Sequence, residues 1–349
     1  MKFHPLLRRK KKKKNYYFIL GGVLFAAVIC FLLPSIINGV KYSRVKSDDA
    51  FNRAMSMINH VWTYDKEKYV NINNNIVKPY YLLDSGMYIG IPYCYGGQTS
   101  LKDSNIKGIS GFDDALSKGY MPGNINTNLG YIENTAGVDC SGFVNVVFNI
   151  KERTSTRTMD KYFKKININK LKAMDILNSK GKHVYIFLGR TKEGVIILES
   201  TSNGEARYKD KTVVNFKTNS EFERDIKERG YIPMRYKNIK FKKVESIYDN
   251  YEYNNKEKFA YNINIGDEIN SSIEYLEDID YYKILNRNTQ LILNFSKFSN
   301  VSVVAYNKDK KFKLQGGENI INISGDIFIR VEKGENLSGN SDYTFRISR

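Results

Sequence analysis

The stretch Gly137-Val138-Asp139-Cys140-Ser141-Gly142-Phe143-Val144 contains the cysteine on which the interpretation of this chain depends. Asp139 is a good helix N-cap and apolar residues follow at helical spacing, so a helix is predicted to begin at Cys140. The free N–H groups and partial positive charge of a helix N-terminus favour a thiolate. Ser141 and Gly142 are small enough for a substrate backbone to approach the sulfur, and the amide of Cys140 is a candidate oxyanion donor. The stretch predicts a nucleophile; a buried structural cysteine is the alternative.

One histidine of the chain is suited to act as the base for this thiol. His183 opens a strand-like run over 183–189, whereas His4 lies in the N-terminal tail and His60 lies on a predicted amphipathic helix. A second strand-like run over 195–198 ends at Glu199, which is the candidate to orient His183 as a triad carboxylate does. The alternative for Glu199 is an ordinary solvent-facing acid.

Length and charge restrict the class of protein. With 349 residues the chain is expected to form two folded parts, and its formal net charge is +18. Eight of the positive charges lie in the first fourteen residues, which contain no acid, so the remaining residues still carry +10. This excess predicts polyanionic surroundings. A basic flank beside an apolar segment is a topology signal more often than a nucleic-acid site, so no nucleic-acid partner is predicted.

An uncharged apolar segment over 16–37 follows the basic tail and has the length of a bilayer core. No convincing cleavage site follows it, so we expect an uncleaved, single-pass transmembrane helix rather than a signal peptide. Cys30 within it is interpreted as a membrane-buried thiol. The positive-inside rule places 1–15 in the cytoplasm and the chain from about residue 41 outside the cell membrane.

Beyond the membrane segment the chain divides into three parts by pattern. Apolar residues at helical spacing over 47–69 predict an amphipathic helix, which together with a connection occupies 41–78. Glycine-rich turns, one helix and short β-branched strands indicate a chemistry-bearing domain over 79–243. A polar connection over 250–257 is interpreted as a linker. The remainder, 256–349, shows regularly spaced short strands and predicts a small all-β sandwich.

The motifs of the middle part resemble the NlpC/P60 family of papain-like cysteine peptidases, which cleave peptide bonds in bacterial cell walls. The resemblance covers roughly residues 80–240 and rests on Gly90-Ile91-Pro92-Tyr93-Cys94-Tyr95-Gly96-Gly97, Asp139-Cys140-Ser141-Gly142-Phe143-Val144, Asp175-Ile176-Leu177 and His183-Val184-Tyr185-Ile186-Phe187-Leu188-Gly189. It implies an α+β, papain-like fold without a cofactor. By this likeness Cys140 is the nucleophile and His183 the base. Tyr93, Asp139 and Ser141 would then line the pocket for the stem peptide.

Two features depart from the family pattern. The glycine-rich segment 98–138 is a longer connection than the family usually has, and we expect it to form one wall of the cleft. The third catalytic position, commonly His, Asn or Gln in the family, falls on Glu199. Cys94 is interpreted as a small apolar filler rather than as a disulfide partner of Cys140.

The C-terminal part resembles the bacterial pre-peptidase C-terminal domain. The resemblance rests on Gly266-Asp267-Glu268-Ile269, Asp278-Ile279-Asp280-Tyr281-Tyr282, Gly325-Asp326-Ile327-Phe328-Ile329-Arg330-Val331 and Tyr343-Thr344-Phe345-Arg346-Ile347. Glu277, Asp278 and Asp280 are conceivable calcium ligands, but alternating acids on a strand are more often a solvated face. A zinc site is disfavoured because no Cys or His pair has ligand spacing. No metal is therefore predicted.

Together these observations predict a membrane-anchored cysteine endopeptidase that hydrolyses peptidoglycan stem peptides outside the membrane of a Gram-positive bacterium. Its expected partners are peptidoglycan, the membrane and anionic wall polymers. Two alternatives stay open at this stage. Cys140 could transfer an acyl group to an amine on the same fold, as an acyltransferase or amidase would, or the outer part could be a non-catalytic wall-binding or adhesion module.

Overall fold

The structure is a computed structural model that describes residues 42–69, 73–204, 209–244, 247–285, 290–322 and 324–349. Of these residues 37% are in strands and 16% in helices. The predicted α+β class is therefore wrong: the described chain is mostly β-sheet and shows no evident papain-like α+β catalytic domain. The prediction relied on helices, but the described helices are short, and alternating apolar residues form strands in much of the remaining chain.

Four α-helices and twenty-one strands occur among the described residues. The helices are α1 (Ser47–Ile58), α2 (Phe112–Ser117), α3 (Cys140–Val147) and α4 (Asn219–Lys227). The strands are β1 (Val45–Lys46), β2 (Val61–Tyr64), β3 (Gly86–Ile89), β4 (Met121–Pro122), β5 (Thr135–Ala136), β6 (Phe163–Lys165), β7 (Ile176–Ser179), β8 (His183–Arg190), β9 (Gly194–Thr201), β10 (Lys211–Thr218), β11 (Tyr231–Tyr236), β12 (Ile239–Lys240), β13 (Tyr261–Ile263), β14 (Glu268–Ser272), β15 (Ile279–Ile284), β16 (Leu291–Phe298), β17 (Val301–Tyr306), β18 (Lys311–Leu314), β19 (Gly317–Ile321), β20 (Ile327–Lys333) and β21 (Asp342–Ser348).

A six-stranded antiparallel sheet carries the candidate site. Its strand order is β10-β9-β8-β7-β11-β6, and β8 and β9 are neighbours near one edge. Side chains of α1 and α3 share one core with Ile186 and Leu198 of this sheet. Phe222 of α4 packs with Tyr185 and Ile197 in a second, smaller core. Because successive side chains of a strand point to opposite faces, the two cores lie on opposite faces of the sheet. Both faces are covered, which accounts for the nearly continuous apolar sequence of β8 and β9.

The amphipathic helix expected over 47–69 is shorter than predicted. The helix α1 ends at Ile58, and Val61–Tyr64 form strand β2, which pairs antiparallel with β3. The aromatic and β-branched side chains of this strand favour an extended conformation when a partner strand is present. Trp62 is buried, but it lies on strand β2 and not on a helix.

Two further sheets form the C-terminal part of the chain. Their strand orders are β13-β15-β20-β17-β18 and β14-β21-β16-β19. Buried side chains alternate with less buried ones along β17 and β20, as expected for strands with one face on a core. Residues of both sheets, such as Val303 and Phe345, belong to a single hydrophobic core. The two sheets therefore pack face to face.

The segment interpreted as a linker over 250–257 is buried over its central residues, and Tyr253 within it contacts the six-stranded sheet. Tyr253 stacks on Phe216 of β10, with ring centroids 4.2 Å apart and planes 4° from parallel. Lys211, at the other end of β10, pairs with Glu277 at 2.6 Å. The N–H of Leu276 donates to Asn59 at 3.0 Å. The C-terminal sheets are thus held against the site-bearing sheet by direct contacts.

The predicted transmembrane segment over 16–37 and the basic tail before it lie outside the described residues. Within the ranges that the structure describes, no helix combines the length and apolar character needed to cross a bilayer.

Candidate active site

The first turn of α3 is fixed by a network centred on Asp139. As the N-cap, Asp139 accepts a hydrogen bond through Oδ1 from the N–H of Gly142 at 2.6 Å and another from the hydroxyl of Ser141 at 2.9 Å. Its Oδ2 accepts from the N–H of Gly96 at 2.9 Å and forms an ion pair with Arg153. Both carboxylate oxygens are therefore occupied, and the helix that begins at Cys140 is held at a defined position.

Arg153 connects three parts of this network. Besides Asp139, its guanidinium donates to the hydroxyl of Ser141 at 3.0 Å and to the carbonyl of Gly96 at 3.3 Å. A planar guanidinium with five donors can bind several acceptors at fixed angles, which lysine cannot do. Arg153 thus joins the loop at Gly96 to the start of α3.

The helix start and the Gly96-Gly97 loop approach each other too closely for a side chain. A Cβ atom at Gly142 would lie 2.0 Å from the carbonyl oxygen of Gly97, and one at Gly97 would lie 2.6 Å from that of Gly137. The small residues that the sequence shows on either side of Cys140 are therefore required by backbone packing, in addition to any access they provide to substrate.

Cys140, His183 and Glu199 come together at this helix start. The Cys140 sulfur lies on one side of the His183 imidazole, close enough to favour its protonated form. Its Nε2 donates to Oε2 of Glu199 at 2.7 Å on the other side. Because Nε2 is engaged by the carboxylate, Nδ1 is the nitrogen that can exchange a proton with the sulfur. Cys140 and Glu199 are buried, while the His183 side chain is 23% exposed at the edge of the sheet.

The charges of the three groups favour an ion pair. Burial alone would lower the pKa of His183, but the Cys140 sulfur and the Glu199 carboxylate outweigh it and raise that pKa to about 10. Burial likewise opposes ionisation of Glu199, yet the hydrogen bond and charge of His183, with help from Lys217 and Asn215, lower the pKa of Glu199 below its ordinary value. These interactions stabilise an imidazolium at His183 paired with an ionised Glu199.

Glu199 has a second partner that the sequence analysis missed. The Asn215 side chain on β10 donates from Nδ2 to Oε1 of Glu199 at 2.8 Å. The available signal was a polar residue in the middle of the apolar strand β10, next to the strand that carries Glu199. Arg153 was also missed; it belongs to a charged run after α3 that gives no indication of a role in its sequence.

Tyr93 lies beside the cysteine. Burial, followed by the proximity of Cys140 and Asp139, raises the pKa of Tyr93, and its hydroxyl is hydrogen-bonded to Ser202. The Cys140 amide has no hydrogen-bond acceptor among the described residues, so it is available to a developing oxyanion. Of the predicted site residues, the structure therefore places Cys140, His183 and Glu199 in one chain of contacts. Tyr93, Asp139 and Ser141 surround its sulfur end.

Cys94 is a fully buried thiol and takes part in no disulfide with Cys140. Its sulfur lies 3.2 Å from the hydroxyl of Thr135. Burial raises the pKa of Cys94 to about 12, so it stays protonated at neutral pH.

A cluster of acids away from the cysteine site has the composition of a cation site. Carboxylate oxygens of Glu252, Asp278 and Asp280 lie within 4.8 Å of one another, and all three residues are buried. The Oδ1 atom of Asn254, which is fully buried next to Asp280, has no hydrogen-bond partner among the described residues. These oxygen donors fit a hard divalent cation such as Ca²⁺. Glu277, considered from the sequence, pairs with Lys211 instead.

Comparisons with known proteins give only partial matches to solved structures, at low sequence identity and low TM-score. A scan against known protein families finds no match for the chain. A search among curated proteins finds none either. Solved structures similar to part of the chain include the pre-peptidase C-terminal domain of a collagenase from Bacillus anthracis, with 16% identity over 26% of this chain and 94% of that domain and a TM-score of 0.22. They also include the periplasmic g-type lysozyme inhibitor PliG of Aeromonas hydrophila, with 14% identity over 26% of this chain and 96% of the inhibitor and a TM-score of 0.22.

Proposed function

We propose that this protein is a cysteine hydrolase that cleaves peptide bonds in the stem peptides of peptidoglycan. One observation carries the proposal: His183 lies between the Cys140 sulfur, which favours its protonated form, and the Glu199 carboxylate, to which it is hydrogen-bonded at 2.7 Å. This is the arrangement that a thiol nucleophile, its base and an orienting group require.

In the proposed reaction the Cys140 thiolate attacks a peptide carbonyl and forms a tetrahedral intermediate. The Cys140 amide at the N-terminus of α3 receives the negative charge on oxygen. The His183 imidazolium then gives its proton to the leaving amine, and an acyl-enzyme remains on the sulfur. Neutral His183 next takes a proton from water, which attacks the thioester and releases the acid. Throughout, Glu199 holds the imidazole and stabilises its charged form.

The substrate class is proposed from the motifs around Cys140 that resemble those of NlpC/P60 peptidases. Tyr93 flanks the sulfur and is a suitable wall for a bound peptide. The polar side-chain atoms of Asp139 and Ser141 are already bonded to Arg153 and to the first turn of α3. We propose that these two residues support the wall of the pocket from its protein side. Their direct contact with substrate stays a prediction.

The proposed location is the outer side of the cell membrane of a Gram-positive bacterium. Support comes from the basic and then apolar N-terminal sequence, and from the positive charge of the remaining chain, which suits a wall rich in phosphate and carboxylate. Membrane fractionation, followed by protease treatment of intact cells, tests this location.

The test of the function compares the full-length chain, purified in detergent, with its Cys140→Ala variant on isolated cell walls. We expect wild type to release soluble muropeptides and mass spectrometry to show, for each cleaved bond, a new free carboxyl group on one fragment and a new free amine on the other. Cys94→Ala is the matched control, because it removes a buried thiol that is hydrogen-bonded to Thr135 and not to Cys140 or His183, and it should retain activity. Equal release by wild type and Cys140→Ala would refute the hydrolase. Products joined to an added amine would instead indicate acyl transfer.

A further inference from the structure

We propose that Asn215 is a positioning residue of the cysteine site, and that Tyr253 clamps strand β10 so that Asn215 stays in place. The inference rests on the proposed function of Cys140 and His183. By this inference, the segment that leads into the C-terminal sheets contributes to the geometry of the cysteine site.

The orientation of the Asn215 amide is fixed by two hydrogen bonds. Its Oδ1 accepts from the N–H of Phe216 at 2.9 Å, and its Nδ2 donates to Oε1 of Glu199 at 2.8 Å. If the amide turned over, both bonds would be lost and its oxygen would face a carboxylate. The donor therefore points at Glu199.

Strand register keeps the two side chains together. Val213 lies directly opposite Glu199 in the antiparallel pair of β10 and β9. Asn215 is two residues further along β10, so it lies on the same face and diagonal to Glu199. A displacement of β10 relative to β9 would separate donor from acceptor.

The opposite face of β10 is held by the C-terminal part. Phe216, the next residue, points away from Asn215 and stacks on Tyr253 at 4.2 Å; both rings are buried. Phe259 packs edge-on against both rings. At the start of β10, the ion pair of Lys211 with Glu277 forms a second attachment. Contacts with the C-terminal part thus hold β10 near both of its ends.

The consequence for the site follows from the two oxygens of Glu199. One is bound by His183 and the other by Asn215, so the carboxylate cannot rotate away from the imidazole. A carboxylate that rotates freely would stabilise the imidazolium less. Asn215 and Tyr253 should therefore influence the proton affinity of His183 although neither touches it.

The test follows carboxymethylation of Cys140 by iodoacetate as a function of pH, with the Cys140 peptide quantified by mass spectrometry in the full-length chain. Iodoacetate is an anion, so it reacts fastest while the imidazolium beside the thiolate is positive. For wild type we expect the rate to fall on the alkaline side near pH 10, where His183 loses its proton.

Asn215→Leu keeps the side-chain volume and removes the donor. We expect it to move the alkaline fall to lower pH by about one unit, the change that corresponds to one lost hydrogen bond to a charged group. Tyr253→Ala should move the fall in the same direction by less. Tyr253→Phe retains the stacked ring and should behave as wild type.

Asn178→Leu is the matched control, because Asn178 is a buried asparagine of the same sheet whose side chain donates to the carbonyl of Thr156 and not to Glu199. It should leave the alkaline fall unchanged. A general loss of structure would lower the rate without moving the fall. If Asn215→Leu does not fold, Asn215→Ser, which also lacks the amide, replaces it.

If the alkylation rate of the Asn215 variant falls at the same pH as that of wild type, Asn215 is not a positioning residue. If the rate of Tyr253→Ala falls at the same pH as that of wild type, Tyr253 does not clamp β10. A wild-type profile without an alkaline fall would instead refute the thiolate–imidazolium pair on which the proposed function depends. The two failures are distinguishable because alkylation requires no cell-wall substrate.

Discussion

Each of the three groups Cys140, His183 and Glu199 sets the charge of its neighbour. The carboxylate and the sulfur both favour a protonated imidazole, and the imidazolium in turn favours an ionised Glu199. His183 is also the most exposed of the three, which places the proton that must reach a leaving group at the accessible end of the site. The base is therefore accessible to substrate, while the carboxylate that orients it is shielded from solvent.

The raised pKa of His183 predicts a pH dependence of stability. In the unfolded chain the pKa of histidine is near its ordinary value of 6.5, whereas the pKa of His183 in the folded chain is about 10. The folded state binds the proton more tightly, so the stabilisation is fully present below pH 6.5 and disappears as the pH rises through 10. We expect the difference in free energy of unfolding between wild type and His183→Asn to shrink over that interval, as measured by urea denaturation. A constant difference would contradict the shift.

Glu199→Gln should lower activity more than it lowers stability. The amide retains the size of the side chain but not the charge that holds the imidazolium, and loss of a triad carboxylate typically costs about 10²–10⁴ in rate. The measurement is the initial rate of muropeptide release from isolated walls. Glu193→Gln, in the exposed turn between β8 and β9, is the control and should match wild type. Equal rates for the two variants would remove Glu199 from the mechanism.

Among the structural elements, the loop at Gly96-Gly97 and the first turn of α3 behave as one unit. Asp139 bonds both of them, Arg153 bonds both of them, and their backbones touch without an intervening side chain. The position of the sulfur relative to β8 thus depends on a loop that precedes it by more than forty residues.

Gly142→Ala tests this close contact. The new methyl group would lie 2.0 Å from the carbonyl oxygen of Gly97, so the loop and the helix must separate. We expect a loss of about 1–3 kcal/mol in stability and a slower alkylation of Cys140. Thermal unfolding and alkylation rates measure the two effects. Gly86→Ala is the control, because its added methyl group meets nothing within 4 Å; an equal response from both variants would argue against the close contact.

At the scale of the whole molecule, direct contacts join the C-terminal sheets to the site-bearing sheet. The acid cluster of Glu252, Asp278 and Asp280 lies where the connecting segment meets β15. Burial raises the pKa of Glu252 and of Asp280 well above the ordinary range, so without a cation these acids hold their protons more tightly than exposed carboxyl groups do. A bound cation would replace those protons and tie the connecting segment to the sheet.

Calcium should therefore stabilise the full-length chain. We expect the thermal midpoint to rise when CaCl₂ is added and to fall again with a chelator, because an ion that binds the folded state alone shifts the folding equilibrium. Asp280→Asn should abolish the response. Asp326→Asn, which alters an exposed ion pair of the same sheets, should retain it. A wild-type thermal midpoint that does not change when calcium is added would exclude the site.

The sequence predicted local features better than long-range ones. The N-cap at Asp139 and the helix start at Cys140 follow from neighbouring residues, and both are present. The overall class was wrong, because the balance of strand and helix depends on pairing between distant segments. Arg153 and Glu252 acquire their surroundings only after folding, so their patterns gave no usable signal, whereas the polar Asn215 between Val214 and Phe216 was a signal that the sequence analysis did not use. The segment 250–257 looked like a linker because its composition is polar, yet its tyrosine is buried against β10.

The burial of Cys94 has a consequence for oxidative damage to the protein. Peroxide reacts with thiolates, so it would convert Cys140 to a sulfenic acid before it affected a buried, protonated thiol. A sulfenic acid is normally rescued by a second thiolate nearby, and Cys94 is not one because burial raises its pKa to about 12. Recovery would then require a small thiol from the surroundings, and where none is present further oxidation would inactivate the protein permanently.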